Sequence, residues 1–346
     1  MSPYANTIMI TSLIMGPLLT MSSNHWILAW MGLEMSTLAI IPLIGPATPP
    51  TSNRSCHKMF PNTSNRLNLT IILHPNYAWN HGQWNITCSP DTYASIMLTA
   101  ALSIKLGIVP FHFWLPEVLQ GSPMTTALIL TTWQKLAPMS LMLQTFNSLN
   151  HNTLLTLGLL SIMMGGWGGL NQTQLRKTTA FSSITNLDWM ALMLTTSPKL
   201  TLLMLLTYII TTSSTFLIIM MLETNNISTM MLSPTKTPIL NSMIMLTLMS
   251  SAGLPPLTGF MPKWLIMKSL TENDMMPIAM LASILSLLTL FFYLRLSYYS
   301  TITLTPNLTL IHPQWRHKTK QISITSPTFT LSTMLLPITP TLLTCI

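Results

Sequence analysis

The stretch Trp26-Ile-Leu-Ala-Trp-Met-Gly-Leu-Glu34-Met-Ser-Thr-Leu-Ala-Ile-Ile-Pro-Leu43 decides the fold class. It holds one charge, Glu34, near its middle, and its polar positions do not alternate with apolar ones. A helix that spans a bilayer needs about 20 apolar residues, whereas a membrane-barrel strand is about 10 long and alternates. This stretch therefore reads as a transmembrane helix. Apart from Glu34, no residue from Met1 to Asn53 is charged, and Leu136–Gln174, Leu200–Leu222, Thr237–Pro262 and Gln321–Ile346 are charge-free. Ten stretches qualify as crossings: 3–22, 25–45, 93–118, 122–145, 152–170, 178–197, 200–222, 238–260, 275–299 and 324–345.

Composition agrees. Of 346 residues, 49% are hydrophobic and 6% charged, against roughly a quarter charged in a soluble domain. A soluble enzyme, a disordered chain and the usual nucleic-acid-binding domain are excluded. The net charge of +8, from 15 basic and 7 acidic residues, reads as membrane orientation. Cys56, Cys88 and Cys345 have no metal spacing and cannot all pair. No basic leader with a small-residue cleavage site precedes the first apolar run, so no cleaved signal is expected. The expected fold is an all-α polytopic transmembrane bundle, one domain over 1–346.

Residues 46–90 stand apart. They are dense in Asn, Pro, His and Ser, and their apolar patch Leu69–Leu73 is too short to span. Lys and Arg collect on the cytoplasmic or equivalent side of a membrane protein. With ten crossings, Arg54, Lys58, Arg66, Lys199 and Lys268 face six basic residues on the other side, which is no bias. An eleventh crossing between about 59 and 80 puts Arg54, Lys58, Arg176, Lys177, Lys236, Arg316, Lys318 and Lys320 together against Lys199 and Lys268. The charges thus ask for about eleven helices where the letters write ten. An out-of-frame reading reconciles the two: Pro50 to Asn62, written in permissible codons and shifted by one base, becomes Gln-Pro-Arg-Thr-Glu-Ala-Ala-Thr-Lys-Cys-Phe-Leu. The alternative is a genuine polar loop with Asn-x-Ser/Thr sites at Asn53, Asn62, Asn68 and Asn85.

A charge at mid-bilayer costs about 2.5–3.5 kcal/mol on insertion scales. Glu34, Lys105 and Lys135 sit well inside apolar runs, and Lys263 follows the Pro255-Pro256 break. Arg295 and Lys268 lie nearer helix ends and can snorkel to an interface. Any one buried charge could be a packing accident; four on different helices point to a path. Loss of water drives lysine and glutamate toward their neutral forms, and groups poised in this way can pass protons.

Helix breaks point the same way. Lys105-Leu-Gly-Ile-Val-Pro-Phe-His-Phe-Trp-Leu-Pro-Glu117 carries Gly107, Pro110 and Pro116 inside one apolar run, and Ser251-Ala-Gly-Leu-Pro-Pro-Leu-Thr-Gly-Phe260 has the same character. Proline frees a carbonyl that needs a partner in lipid. Two interrupted helices in different halves indicate an ion path and inverted repeats, although a simple kink is the plainer reading. His112, in the first break, is either a proton shuttle or a satisfied histidine. Gly165-Gly-Trp-Gly-Gly169 suits close helix packing. No nucleophile motif, haem ligand pair or phosphate loop is present.

Trp30-Met-Gly-Leu-Glu-Met35, Ile104–Gly121, Thr132-Trp-Gln-Lys-Leu-Ala-Pro138, Leu170–Lys177 and Gly253-Leu-Pro-Pro-Leu-Thr-Gly-Phe-Met-Pro-Lys-Trp264 closely resemble the antiporter-like membrane-arm subunits of mitochondrial NADH:ubiquinone oxidoreductase (respiratory complex I), in an animal form, over nearly the whole chain. The resemblance implies a proton-translocating subunit of the mitochondrial inner membrane, with its basic loops facing the matrix. It implies eleven helices, three fewer than the fourteen of longer relatives. Glu34 and Lys105 become a coupled pair, Lys135 a central relay, and Lys263 the lysine of the other half-channel, with His112 at the break. It also implies no catalytic redox site, metal or cofactor in this chain, since FMN, iron–sulfur clusters and ubiquinone belong to other subunits. The implied partners are those membrane-arm subunits and membrane lipids, cardiolipin among them, and no nucleic acid. Two departures stand out: an alanine-rich acidic helix is missing after residue 50, and Asn186 and Asp188 stand where a histidine and a glycine are expected. Rival readings are a stand-alone cation/proton antiporter and a purely structural membrane subunit.

Overall fold

The computed structural model describes residues 3–44, 84–86, 92–302 and 323–345. The eleventh crossing, the polar segment and its proposed frame shift lie almost wholly outside the described residues. Two compact units emerge, Met1–Ser161 and Ile162–Ile346, and the division falls inside one helix. Among the described residues there is no named strand, only two isolated bridges, His25 with Asn85 and Gln174 with Asn226.

The first unit contains α1 (Pro3–Ser22), α2 (Trp26–Ile44), α3 (Thr92–Leu106), α4 (Trp114–Gly121), α5 (Met124–Thr131) and α6 (Trp133–Gln144). Helix α7 (His151–Leu170) runs on into the second unit. That unit adds α8 (Leu175–Leu194), α9 (Pro198–Leu222), the short α10 (Ile227–Met231) and α11 (Ser233–Lys236), α12 (Pro238–Ala252), α13 (Phe260–Glu272), α14 (Met276–Ile302), α15 (Thr325–Met334) and α16 (Thr339–Cys345).

Each of the ten expected stretches contains helix. Six are long and apolar enough to cross a membrane: Pro3–Ser22, Trp26–Ile44, Thr92–Gly121, His151–Leu170, Pro198–Leu222 and Met276–Thr301. The others depart from a plain span for visible reasons. Helix α8 carries Arg176, Lys177 and Asp188. The stretch 122–145 is interrupted at Thr132, 238–260 ends its first helix at Ala252, and 324–345 breaks around Pro337.

Much of the outer face of these helices is apolar. On α14, Met280, Ile284, Leu287 and Phe291 are about 60% exposed and recur at helical spacing, a stripe suited to lipid or to another apolar chain. Serine and threonine are tolerated inside because their hydroxyls donate to carbonyls three or four residues back, as Thr207 does to Met204 O at 3.0 Å and Ser214 to Thr211 O at 2.8 Å.

Close helix approach depends on small residues. A methyl group on Gly16 would lie 2.7 Å from Ser36 Cβ, and one on Gly32 would lie 2.7 Å from Gly16 O. Helices α1 and α2 therefore touch backbone to backbone. The Gly165–Gly169 ridge behaves alike: a methyl on Gly168 would meet Phe181 at 2.4 Å, and one on Gly169 would meet Phe292 at 2.9 Å. Gly32→Ala is expected to overpack the α1–α2 contact at a cost of about 1–3 kcal/mol. Earlier thermal unfolding of the detergent-solubilised protein is the measurement, and an unchanged transition contradicts the tight contact.

Candidate functional site

Both broken helices end in the same way. In α3 the chain turns at Gly107, φ +80°. Gly107 N donates to Ser103 O and Ile104 O, and Ile108 N donates to Ser103 O. In α12 the chain turns at Gly253, φ +89°, where Gly253 N donates to Met249 O and Ser250 O, and Leu254 N to Met249 O. This is a glycine C-cap in which two N–H groups fold back over the last turn. It requires glycine, because an L side chain is strained at positive φ. Three residues after each glycine stands a proline, Pro110 and Pro256, which cannot continue the helix.

The fold-back leaves the carbonyl just before each glycine to be met from elsewhere, and a lysine meets it. Lys135 Nζ, from α6, donates to Leu106 O. Lys263 Nζ, from α13, donates to Ala252 O at 2.9 Å and reaches Ser251 O at 3.5 Å. An ammonium at a helix C-terminus also faces the negative end of the macrodipole. The two lysines come from different elements, yet they take the same position on their respective breaks. Lys135 is further held 5.7 Å from the centre of the Trp114 ring, within cation–π range.

Glu34 and Lys105 are brought together. Lys105, in the last turn of α3, places Nζ 3.4 Å from Glu34 Oε1 on α2, with side chains 6% and 14% exposed. Lys105 and Lys135 thus serve one helix end, the first through a carboxylate and the second through a carbonyl. Pairing is what allows buried charges to persist.

His112 lies in a 3-10 turn, Phe111–Phe113, that follows the cis Val109–Pro110 bond. It is buried at 4% exposure and rests on Phe113, with ring centroids 4.3 Å apart. Among the described residues its Nδ1 has no hydrogen-bond partner, so the structure does not join it to the Glu34–Lys105–Lys135 group.

Sequence reasoning did not single out several supports of this group. Trp133 Nε1 donates to Leu13 O at 2.9 Å, and Gln134 Nε2 donates to Ser36 O at 2.7 Å. These two bonds tie the first turn of α6, and with it Lys135, to α1 and α2. The interruption at Thr132 has no proline or glycine to announce it. Its signal is the Thr131-Thr132 pair, whose hydroxyls both bond back into the preceding turn, to Ala127 O and Leu128 O.

In the second unit, Lys263 borders a small, partly open cavity lined also by Asn186, Thr207, Tyr208, Thr211 and Ser251. Asn186 thus faces Lys263's cavity, whereas Asp188 is completely buried in α8. A methyl on Gly259 would lie 1.9 Å from Ser250 O, so the segment that returns to Lys263 presses on the helix end it caps. Arg295, expected near an interface, also takes a helix end: its guanidinium donates to Leu170 O at 2.5 Å and lies over Tyr299. Lys268 pairs with Glu272 at 3.7 Å in an exposed setting. Among the described residues no group of three or more His, Cys, Asp or Glu could hold a metal.

Residues 23–289 match the family described as NADH:quinone oxidoreductase/Mrp antiporter, TM, and residues 290–343 match NADH dehydrogenase subunit 2 C-terminus. The chain is 51% identical to NADH-ubiquinone oxidoreductase chain 2 of Coturnix japonica over 346 residues, the whole of both chains. It belongs to the NADH-ubiquinone oxidoreductase chain 2 family. The chains of Gallus gallus and Struthio camelus are 50% and 49% identical, each over 99% of both sequences.

The fold recurs in solved assemblies. A chain of respiratory complex I from Thermus thermophilus aligns with a TM-score of 0.83 at 21% identity, over 97% of this chain and 80% of that one. A chain of the archaeal membrane-bound sulfane sulfur reductase gives 0.85 at 14%, over 97% and 74%, and one of the Dietzia Mrp complex gives 0.80 at 15%, over 97% and 75%.

Removing one partner of a buried ion pair strands the other, at a cost of about 3–5 kcal/mol. Glu34→Ala is therefore expected to lower the yield of folded protein, and Lys105→Met in the same chain is expected to recover it. A double variant no better than Glu34→Ala contradicts the pairing.

Proposed function

We propose that this chain is a proton-translocating membrane-arm subunit of mitochondrial respiratory complex I. It couples NADH-to-ubiquinone electron transfer in other subunits to proton movement across the inner membrane. One observation carries the reading: a carboxylate and two lysines, Glu34, Lys105 and Lys135, converge on one interrupted helix end inside an apolar bundle. Full-length relatives named NADH-ubiquinone oxidoreductase chain 2 supply the context.

The chemistry needs no bound group in this chain. While Glu34 is ionised, it holds Lys105 as an ammonium. A proton that moves from Lys105 Nζ to the carboxylate leaves both groups neutral and removes the attraction between them. The transfer takes one positive and one negative charge away together, so Lys135, at the same helix end, feels the loss of a dipole rather than of a net charge. Its carbonyl partner does not have to be given up, because a neutral amine still carries N–H donors. Lys263 plays the corresponding part in the second unit, with Ala252 O as its partner. His112, buried in the first break and not joined to the Glu34–Lys105–Lys135 group, is the remaining candidate proton carrier there.

FMN, iron–sulfur clusters and ubiquinone are assigned to other subunits, and the partners are the neighbouring membrane-arm subunits and membrane lipids. The basic links face the matrix, following the eight-to-two charge count.

Lys135→Met, and separately Lys263→Met, in the assembled complex are expected to lose most of the proton translocation that accompanies NADH oxidation. Wild-type pumping in both variants leaves only a structural role. Cation/proton exchange by the isolated chain in liposomes would favour the stand-alone antiporter instead.

A further inference from the structure

One cation outside the lysine sites has no part in the function above. Arg295 projects from α14 and donates from Nη1 to the carbonyl of Leu170, the last residue of α7. Its guanidinium lies 5.5 Å from the centre of the Tyr299 ring. A guanidinium has several N–H donors and no acceptor. Among the described residues the others make no hydrogen bond, and no ion pair reaches Arg295. Glu223, exposed in the link after α9, does not pair with it. Arg176 and Lys177, in the first turn of α8 just beyond Leu170, add to the positive charge.

Helix lengths fix the depth of this arginine. About 20 helical residues cross the hydrocarbon of a bilayer. Helix α7 has 20 residues and ends at Leu170. Helix α14 begins at Met276, and Arg295 is its 20th residue. Trp167 and Tyr298, both exposed, lie about one turn to either side of this level, and such aromatic side chains gather at headgroups. The guanidinium therefore sits where hydrocarbon gives way to phosphate.

The surface that leads to it suits a chain of methylenes. Gly166 and Gly169 bring α7 against Leu288 and Phe292 of α14. Having no side chains, they leave a furrow along the outer side of this seam, between exposed Trp167 on one helix and exposed Leu287 and Phe291 on the other. Arg295 follows Phe291 by one turn and Leu288 by two, so it stands between the exposed stripe and the seam, at the head of the furrow. A surface that is apolar along its length and cationic at one end is complementary to a molecule with an apolar tail and an anionic head.

We propose that this furrow binds one anionic phospholipid, with its phosphate on the outward edge of Arg295 and an acyl chain along Phe291 and Leu287. A phosphate accepts two N–H groups from a guanidinium fork, while Leu170 O keeps the N–H it already receives. A zwitterionic lipid brings the same phosphate with a cation beside it, so the site discriminates by net charge.

Binding here needs the chain to span a membrane but not to move protons, so binding alone is measured. Phosphatidylglycerol and phosphatidylcholine with the same photoreactive group on the acyl chain are exchanged into the detergent-solubilised assembled complex, and the labelled peptides are identified. Phosphatidylglycerol is expected to label 162–170 and 280–298 about fivefold more than phosphatidylcholine does, the effect of roughly one basic residue at a membrane surface. Arg295→Gln is expected to bring that ratio near one. If this variant fails to assemble for want of the Leu170 O bond, Tyr298→Asp decides: it keeps the bond, sets a carboxylate one turn from the guanidinium and is expected to abolish the preference equally. Equal labelling by the two lipids in the wild type overturns the site, as does a preference that survives both substitutions. Labelling of a neighbouring subunit in place of these two helices overturns it too, because a protein then covers the furrow. Loss of the preference on adding inorganic phosphate at constant ionic strength gives the guanidinium to a free anion and overturns the lipid.

Discussion

A carbonyl freed inside a bilayer has no water to turn to, so it has to find a donor in the protein. This chain frees such carbonyls where α3 and α12 stop short, and it answers with lysine. The arrangement satisfies both sides. The helix end gains a donor, and the ammonium gains the negative pole of a helix at a depth where insertion disfavours a bare charge. Most of what distinguishes the molecule, including the two glycines at positive φ, the prolines three residues beyond them and the tethering of α6 by Trp133 and Gln134, serves to bring a lysine to a helix end.

The two units solve this problem with different parts. In the first, the capping lysine comes from α6, and a second lysine on the broken helix itself is held by a carboxylate. In the second, it comes from α13, directly after the break, and its surroundings are hydroxyls and an amide rather than an acid. The first unit therefore sets its lysines beside a carboxylate, while the second sets one lysine among hydroxyls and an amide. Replacement of an expected histidine by Asn186 at the cavity carries that tendency further, since an amide does not titrate.

Much of this was legible in the letters. Uninterrupted apolar runs placed the helices, because length alone separates a crossing helix from a barrel strand. Glu34, Lys105 and Lys135 stood out because each is a charge set well inside an apolar run. Gly107 and Gly253 were marked by the prolines that follow them. The rest was hidden for physical reasons. The interruption at Thr132 comes from hydroxyls that bond backwards, and threonine does this in many regular helices. The pairing of Lys135 with Leu106 O joins a side chain to a backbone atom, which no residue pattern records. Within α14, Arg295 read as an interfacial anchor, and its acceptor, Leu170 O, is a backbone atom that no residue pattern records.

The outward stripe of Met280, Ile284, Leu287 and Phe291 has a consequence of its own. Lipid contact along such a stripe is non-directional and tolerates small rotations of the helix. Its azimuth about the long axis must come from inside, from polar pins such as Arg295 on Leu170 O and Ser300 O receiving Asn241 Nδ2 at 2.9 Å. Removing a pin would leave the hydrocarbon contact intact while loosening the rotational register, and every side chain on that helix would then point a little elsewhere.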